Sequence, residues 1–468
     1  LAEIAPAAGG ARRAVGRDRG GPRPRVAVRA LGARADRPGI ARLGLALDSA
    51  EPRTLAIARQ LAAARPAGET LAATIAAPGG DISLGLPGVV SADARATPPS
   101  ACDPGASAAA PLTVETMQPF LAHLAGLPGV GVRRVARSFE GRALDAIEVV
   151  APGGGAIWSR RKAGLHKPTL LVIARHHANE PASTPAALQL AALCATDPAF
   201  RPLLDRVNLV LLPLENADGA ALHAAMLGEH PTWKHHAARY NAVGREFARD
   251  YDDPETPWGE ARARPRLWAE WLPDVVVDNH GVPSHEWNQH FNGFGSPPRF
   301  GVSYWMVSAL LYGILHYPTD DPAHAAFAAA VRDRMAARVE ADAEIFATNQ
   351  LLRDRYERWG HRRLPERFPA AYHRDMLWYF GPQAPERRAR FRRPAAFDRL
   401  TVADLVTEVA DETAQGDYLA LVARAHLIAN EALLRLLAEV APPVERRGGV
   451  DADGAWLVLA RRRPLAVP

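Results

Sequence analysis

The chain has 468 residues, enough for one large domain and a smaller one. Hydrophobic residues are 48% and charged residues 23%, the balance of a globular protein. The net charge of +5 is small for this length and the arginines are scattered, so there is no nucleic-acid footprint.

Residues 1–105 read as a small N-terminal module. Arg23 to Leu47 alternates weakly, as strands do, and Thr54 to Ala64 has helical spacing. Pro98 to Pro111 has the Pro, Ser and Gly content of a linker. Cys102 falls in that stretch and Cys194 inside a predicted helix, so two cysteines make neither a disulfide framework nor a Cys-based zinc site. From Leu112 helix and strand alternate. Thr113 caps a helix through Leu124. Arg133–Arg137 and Leu144–Val150 form a hairpin around Phe139-Glu140-Gly141-Arg142, and Pro168–Ala174 is a buried strand. Thr184 then caps a helix that has Pro185 at its first position. Val207–Leu212, Asp274–Asp278 and Leu405–Ala410 are further strands. Val302–Tyr317 is apolar but short for a bilayer span, and it holds Ser303, Ser308 and His316. Asp321–Leu352 has the period of one long helix, and Tyr418–Val440 that of another. Strands alternating with helices predict an α/β fold, an open mixed sheet with helices on both faces. The chain opens Leu1-Ala2-Glu3-Ile4-Ala5, without a signal-peptide pattern and without an initiator Met, which leaves its localisation open.

The chemistry gathers at strand ends. His177-Ala178-Asn179-Glu180 follows the strand that ends at Ala174, where α/β proteins place ligands. A histidine and a glutamate three apart can turn onto one metal ion. Asp278-Asn279-His280-Gly281 supplies a second histidine just past another strand on the same predicted sheet edge. Two His and one Glu with an open fourth position is a catalytic zinc set.

With these residues the chain resembles the zinc carboxypeptidase family, the carboxypeptidase A-like metallopeptidases. Further stretches carry the resemblance in the family's order. Ser138-Phe139-Glu140-Gly141-Arg142 is similar to the family's S-x-E-G-R turn, and Asn216-Ala217-Asp218-Gly219 to its N-P-D-G. Tyr240–Phe247 stands where the family has its Asn-Arg substrate clamp, and Thr407-Glu408-Val409 resembles the strand that carries its catalytic glutamate. The likeness spans residues 112–440, with a helical insert at about 300–400 and a C-terminal extension over 441–468. It implies a zinc carboxypeptidase-like catalytic domain that cleaves an amide or peptide bond with one Zn²⁺. The metal ligands would be His177, Glu180 and His280. Glu408 would be the general base and then the general acid. Substrate contacts would come from Asn241, Arg245 and Tyr379.

The chain departs from the family at the clamp, because Ala242-Val243-Gly244 separates Asn241 from Arg245. No residue stands out as the oxyanion-stabilising arginine, although Lys234 and Arg239 lie in the right region. His285 and His290 are five apart, whereas a zincin helix needs four, so they are set aside as a metal motif. His230, His235 and His236 form a cluster around Trp233-Lys234 that reads as a polar loop near the active site, with a second metal as the alternative. The expected partner is a peptide or amide substrate, able to carry a free carboxylate, with no nucleic acid and no membrane span. Two rivals share parts of the pattern: an aspartoacylase-like acyl-amino-acid amidohydrolase, and a non-catalytic binding module that retains the cleft.

Overall fold

The computed structural model describes residues 110–151, 159–282, 309–317, 322–355, 371–382, 400–442, 444–451 and 454–463, together with Leu465, Val467 and five strands near the N-terminus. The chain divides into two compact units, residues 1–97 with 152–159, and residues 98–151 with 160–468. In the first unit β1 (Arg12–Val15), β2 (Arg25–Leu31), β3 (Ile40–Leu47), β4 (Thr70–Ala77) and β5 (Gly80–Gly85) form one sheet in sequence order. The weak alternation from Arg23 to Leu47 falls on β2 and β3. The expected helix over 54–64 lies outside the described residues, as do 283–308, which hold His285 and His290.

The second unit is built on a nine-stranded sheet. Its strands are β6 (Val130–Arg137), β7 (Ala143–Val149), β8 (Thr169–Ala174), β9 (Asn208–Leu212), β10 (Val275–Val282), β11 (Leu311–Tyr317), β12 (Ala371–His373), β13 (Met376–Pro382) and β14 (Ala403–Ala410). The spatial order is β12-β13-β11-β14-β10-β8-β9-β7-β6, with β9, β8, β10 and β14 mutually parallel. These four sit at the centre, and every residue of β8 and β9 is buried, as a strand covered on both faces requires.

Eight helices among the described residues accompany the sheet: α1 (Val114–Ala125), α2 (Arg160–His166), α3 (Ser183–Thr196), α4 (Ala217–Glu229), α5 (Glu260–Trp271), α6 (Pro322–Ala341), α7 (Ala343–Arg355) and α8 (Gly416–Val440). Side chains alternate across a strand, and two neighbours on β10 show which helix covers which face. Asp278 meets Arg264 of α5, while Asn279 meets Asn430 of α8. The expected open mixed sheet with helices on both faces is therefore the architecture found.

Four local expectations change. Thr113 does cap α1, through a reciprocal pair with Thr116. Thr184 does not cap α3, because that helix begins at Ser183 and the Thr184 hydroxyl donates to Pro213 O at 2.7 Å. The single helix expected over 321–352 is two, α6 and α7, since Asp342 interrupts it and its carboxylate accepts from Ile345 N at 3.1 Å. The insert is also not purely helical. Its apolar run from Leu311 forms β11, which pairs with β14 and β13 inside the sheet. Finally, β10 runs on to Val282, so His280 lies within a strand and not past its end.

The C-terminal residues form a hairpin, β15 (Glu445–Asp451) and β16 (Gly454–Ala460). Just after it, the fully buried Arg461 forks onto Asp274 at 2.9 and 2.8 Å. This ties the segment to the start of β10.

Candidate metal centre

The loop after β8 is held from within. Arg175 takes a left-handed backbone conformation, φ 60°, which costs a non-glycine residue free energy and persists only where its surroundings impose it. Its buried guanidinium donates to Ala178 O at 2.6 Å and to Leu112 O at 3.0 Å, and lies 3.2 Å from His223 Nδ1. Its amide donates to Ser183 Oγ at 2.9 Å. The side chain thereby fixes the middle of the His177–Glu180 turn, and burial pulls its pKa down to about 10.

Strand pairing brings in the other half. β10 and β14 are parallel, and His280 is the register partner of Glu408. Both residues lie on the same face as Asp278, opposite Asn279 and Thr407, whose side chains bond each other at 2.6 Å. His280 Nδ1 lies 3.0 Å from His177 Nδ1 and 3.1 Å from a Glu180 oxygen, and the other Glu180 oxygen is 2.8 Å from His177 Nδ1. The three residues can all reach one ion.

The donor set fits zinc. Bonds of about 2.0–2.1 Å in a tetrahedron bring ligand atoms to a little over 3 Å from one another, which is the scale of this triangle. Two Nδ1 atoms facing each other at 3.0 Å can share at most one proton, so a cation between them satisfies both. Each imidazole also turns its Nε2 to a carboxylate, His280 to Asp278 at 3.0 Å and His177 to Glu246 at 3.3 Å. Carboxylates behind ligand histidines fix the ring and its tautomer. Asp278 is anchored by Arg264 at 2.6 Å.

The charges reinforce one another. Burial opposes ionisation of Glu180, and the imidazoles of His177 and His280 outweigh it and hold the carboxyl low. Burial and then Arg239 push the His177 pKa down. Burial also opposes the charged form of His280, but Asp278 and Glu180 raise it well above its ordinary value. Arg239 donates to Glu180 Oε1 at 3.2 Å, and its side chain is 29% exposed.

Glu408 is half-buried beside this cluster. Burial, aided by Glu180 against His280 and Arg239, raises its carboxyl to about 8. Three residues on, Asp411 accepts from Ala182 N at 2.8 Å. Its other oxygen packs on Gly281, where a Cβ would stand 1.7 Å away. Gly281 N in turn donates to Glu180 at 2.9 Å. The end of β14 thus holds together the His177–Glu180 turn and the His280 segment.

The two family-like turns meet each other. Asp218 accepts from Ser138 Oγ at 2.5 Å, from Glu140 N at 2.9 Å and from Arg142 at 2.8 Å. Asn241 and Arg245 form a tight turn in which Asn241 Oδ1 accepts from Arg245 N at 2.8 Å, and the Arg245 guanidinium forks onto Asp250 at 2.8 and 2.7 Å. Arg245 also lines a cavity of about 560 Å³ with His236, Tyr240, Glu246 and Arg249. Tyr379 lies on β13, paired with Ile314 of β11, and its side chain is outside the described residues. Arg175, His176, Glu246 and Asp278 had no assigned role in the sequence. Asp278 carried a usable signal, since residues two apart on a strand share a face. Glu246 carried none, because only the fold brings it to His177.

Residues 120–267 match the family model described as zinc carboxypeptidase. The match includes His177 and Glu180 and stops before His280 and Glu408. No curated protein compared with the chain matches it. Among solved structures, a metallo-carboxypeptidase from Burkholderia cenocepacia is similar at 17% identity and TM-score 0.42, over 69% of this chain and 70% of that one. One from Pseudomonas aeruginosa, solved with (2-guanidinoethylmercapto)succinic acid, is similar at 17% identity and TM-score 0.44, over 70% of each chain. Thrombin activatable fibrinolysis inhibitor is similar at 11% identity and TM-score 0.45, over 71% of this chain and 75% of that one. The class defined by the family match is a metallopeptidase-like hydrolase. More particularly, the matched segment is similar to the zinc carboxypeptidase model, and the described residues include a His/His/Glu group that could hold one metal ion.

Proposed function

We propose that the chain hydrolyses an amide or peptide bond at a single zinc held by His177, Glu180 and His280. The observation that carries this is the convergence of the three donors on one point, with Glu408 in register beside His280. When bound, zinc would lower the pKa of a water to about 7 and polarise the substrate carbonyl. With that cation's charge favouring the ionised carboxylate, Glu408 would take the proton of the attacking water and pass it to the leaving amine, which is otherwise a poor leaving group. Its place inside a paired strand keeps the carboxylate from swinging away. Arg239, part-exposed beside Glu180, is positioned to stabilise negative charge growing on the carbonyl oxygen. A free substrate carboxylate is taken by the cavity beside Glu246, where Arg249 supplies positive charge and Arg245, held by Asp250, lines the wall. Asn241 shapes that wall through its turn, and Tyr379 on β13 is offered as a further substrate contact.

The test is Glu408→Gln, assayed on blocked dipeptides with free and amidated C-termini. Turnover should fall about 10²–10⁴-fold, the usual worth of a general acid–base group, while one zinc per chain remains bound. Near-parent turnover would remove Glu408 from the role. Equal cleavage of the amidated peptide would remove the carboxylate subsite.

A further inference from the structure

Ligand His177 is preceded by another histidine that does not take part in the ligand triangle. His176 is buried, with its ring 4.7 Å from that of His177 and 4.5 Å from that of Phe247. Both of its nitrogens face carboxylates. Nδ1 is 2.9 Å from Glu215 Oε2 and Nε2 is 2.8 Å from Glu246 Oε1. The second oxygen of Glu246 is the one 3.3 Å from His177 Nε2. At the far end, the Tyr251 hydroxyl lies 3.0 Å from both oxygens of Glu215 and 3.1 Å from His176 Nδ1.

Read outward from the metal site, the groups alternate: imidazole, carboxylate, imidazole, carboxylate, phenol. A carboxylate accepts only, so each nitrogen facing one must donate. Glu246 therefore fixes the proton of His177 on Nε2 and leaves Nδ1 as the lone-pair donor. Glu246 alone is not a rigid anchor, since it reaches His177 from the loop after Tyr240 and is part-exposed. His176 removes that freedom by gripping its other oxygen, and Glu215 with Tyr251 grips His176.

We propose that His176 is a positioning residue for the metal site, acting through Glu246 to hold His177 in its ligating tautomer, with Glu215 and Tyr251 as the outer anchor. This rests on the reading of His177 as a zinc ligand. Removing a partner behind a ligand histidine costs about 10–100-fold in metal affinity, and His176 acts one step further out.

The experiment measures zinc affinity by competition with a chromophoric chelator, for the full chain and for His176→Phe, His176→Gln, Glu246→Gln and the double variant His176→Phe/Glu246→Gln. His176→Phe keeps the ring packing and loses both hydrogen bonds, so affinity should fall about tenfold. His176→Gln restores one donor toward Glu246 and should recover part of the loss. The double variant should bind little more weakly than Glu246→Gln alone, because the two residues act in series. Should His176→Phe misfold, the Gln variant and Tyr251→Phe carry the test, with a few-fold loss expected in each. Zinc affinity within twofold of the parent in a folded His176→Phe protein overturns the proposal. So do additive losses, or a fall in kcat at saturating zinc with unchanged zinc affinity, which would put His176 on the substrate. His177→Ala separates this from failure of the site itself. If the parent binds one zinc and His177→Ala does not, the metal site stands whatever His176 does. If neither binds zinc, the metal reading has failed.

Discussion

Strand β10 starts in one buried charge cluster and ends in another, and the two are built on different principles. At its start, Asp274 accepts from Arg461 twice and from Thr169 N at 2.9 Å, and neither charged side chain is exposed. Arg461 spends its remaining reach on Gly164 O at 2.9 Å. Both oxygens of Asp274 are paired there, with Arg463 a further 3.5 Å contact, and a buried carboxylate paired within the protein holds parts together without inviting a ligand. At the other end, two imidazole nitrogens and a carboxylate oxygen aim at a common point, and Asp278 and Asp411 each keep one oxygen without a hydrogen-bond partner. Burial is similar at both ends. What separates a structural cluster from a chemical one is whether the donors and acceptors close on themselves.

The largest effect expected from this contrast is at the open end. His280→Ala removes one of the three proposed ligands, so zinc affinity should fall by more than the ~100-fold that an outer partner commands. Metal content measured by mass spectrometry after dialysis checks it, and full zinc occupancy in the variant would remove His280 from the site. Turnover should go with the metal.

The closed end should answer in stability alone. Arg461→Ala leaves the buried Asp274 with only Arg463 at 3.5 Å and Thr169 N at 2.9 Å, at a cost of up to about 3–5 kcal/mol, read by urea denaturation. Zinc affinity and kcat of the folded variant should match the parent. A cost below ~1 kcal/mol would mean that the C-terminal hairpin is not anchored by this pair. A loss of zinc affinity would mean that the two ends of β10 are not independent.

Much of this contrast could be anticipated from local spacing, and some of it could not. The turn from His177 to Glu180, the strand before it and the Asp278-Asn279-His280 run are short-range patterns, and the fold brings the three named residues within reach of one ion. Glu408 was indistinguishable by chemistry from Glu412. Strand register makes the difference, by setting Glu408 opposite His280. The outer carboxylates were hidden for a different reason. Glu246 and Glu215 reach His176 and His177 only through tertiary packing, and no spacing records that. The insert misled because Leu311–Leu315 has no helical period, and only the sheet edge offered by β14 makes it a strand. Asn241 and Arg245 are a different case. Residue types suited to a clamp are here tied first to a turn and to Asp250.

Between the two extremes lies Glu260, which is not exposed and whose carboxyl burial raises to about 7, with hydrogen bonds from its own backbone and from Phe139 N opposing it. A carboxyl with a folded pKa above its unfolded value of about 4.5 favours the native state below that value, and the advantage disappears as pH rises to about 7. Stability should therefore decline between those limits by something on the order of 2–3 kcal/mol. Glu260→Gln should flatten the decline. Melting temperatures across pH 4–8 test it, and an equally steep slope in the variant would assign the decline to another group.

The finest test lies on the face of the sheet opposite the chemistry. Thr407 Oγ1 accepts from Asn279 at 2.6 Å and lies 3.0 Å from His426 Nδ1, while Asn279 and Asn430 bond each other. The pair Asn279–Thr407 is the register step just before His280–Glu408, so this polar patch pins the pairing that sets His280 beside Glu408. Thr407→Val keeps the shape and deletes the hydroxyl, leaving the Asn279 amide with Asn430 and His426 with one bond fewer. The expected cost is about 1–2 kcal/mol, with zinc affinity and kcat changed by no more than a few-fold, because backbone pairing and Asn430 still hold the register. A tenfold fall in kcat at saturating zinc without a loss of stability would break the division drawn here. It would show that alignment of Glu408 depends on the far face of its own strand, and that the chemical cluster extends through the sheet.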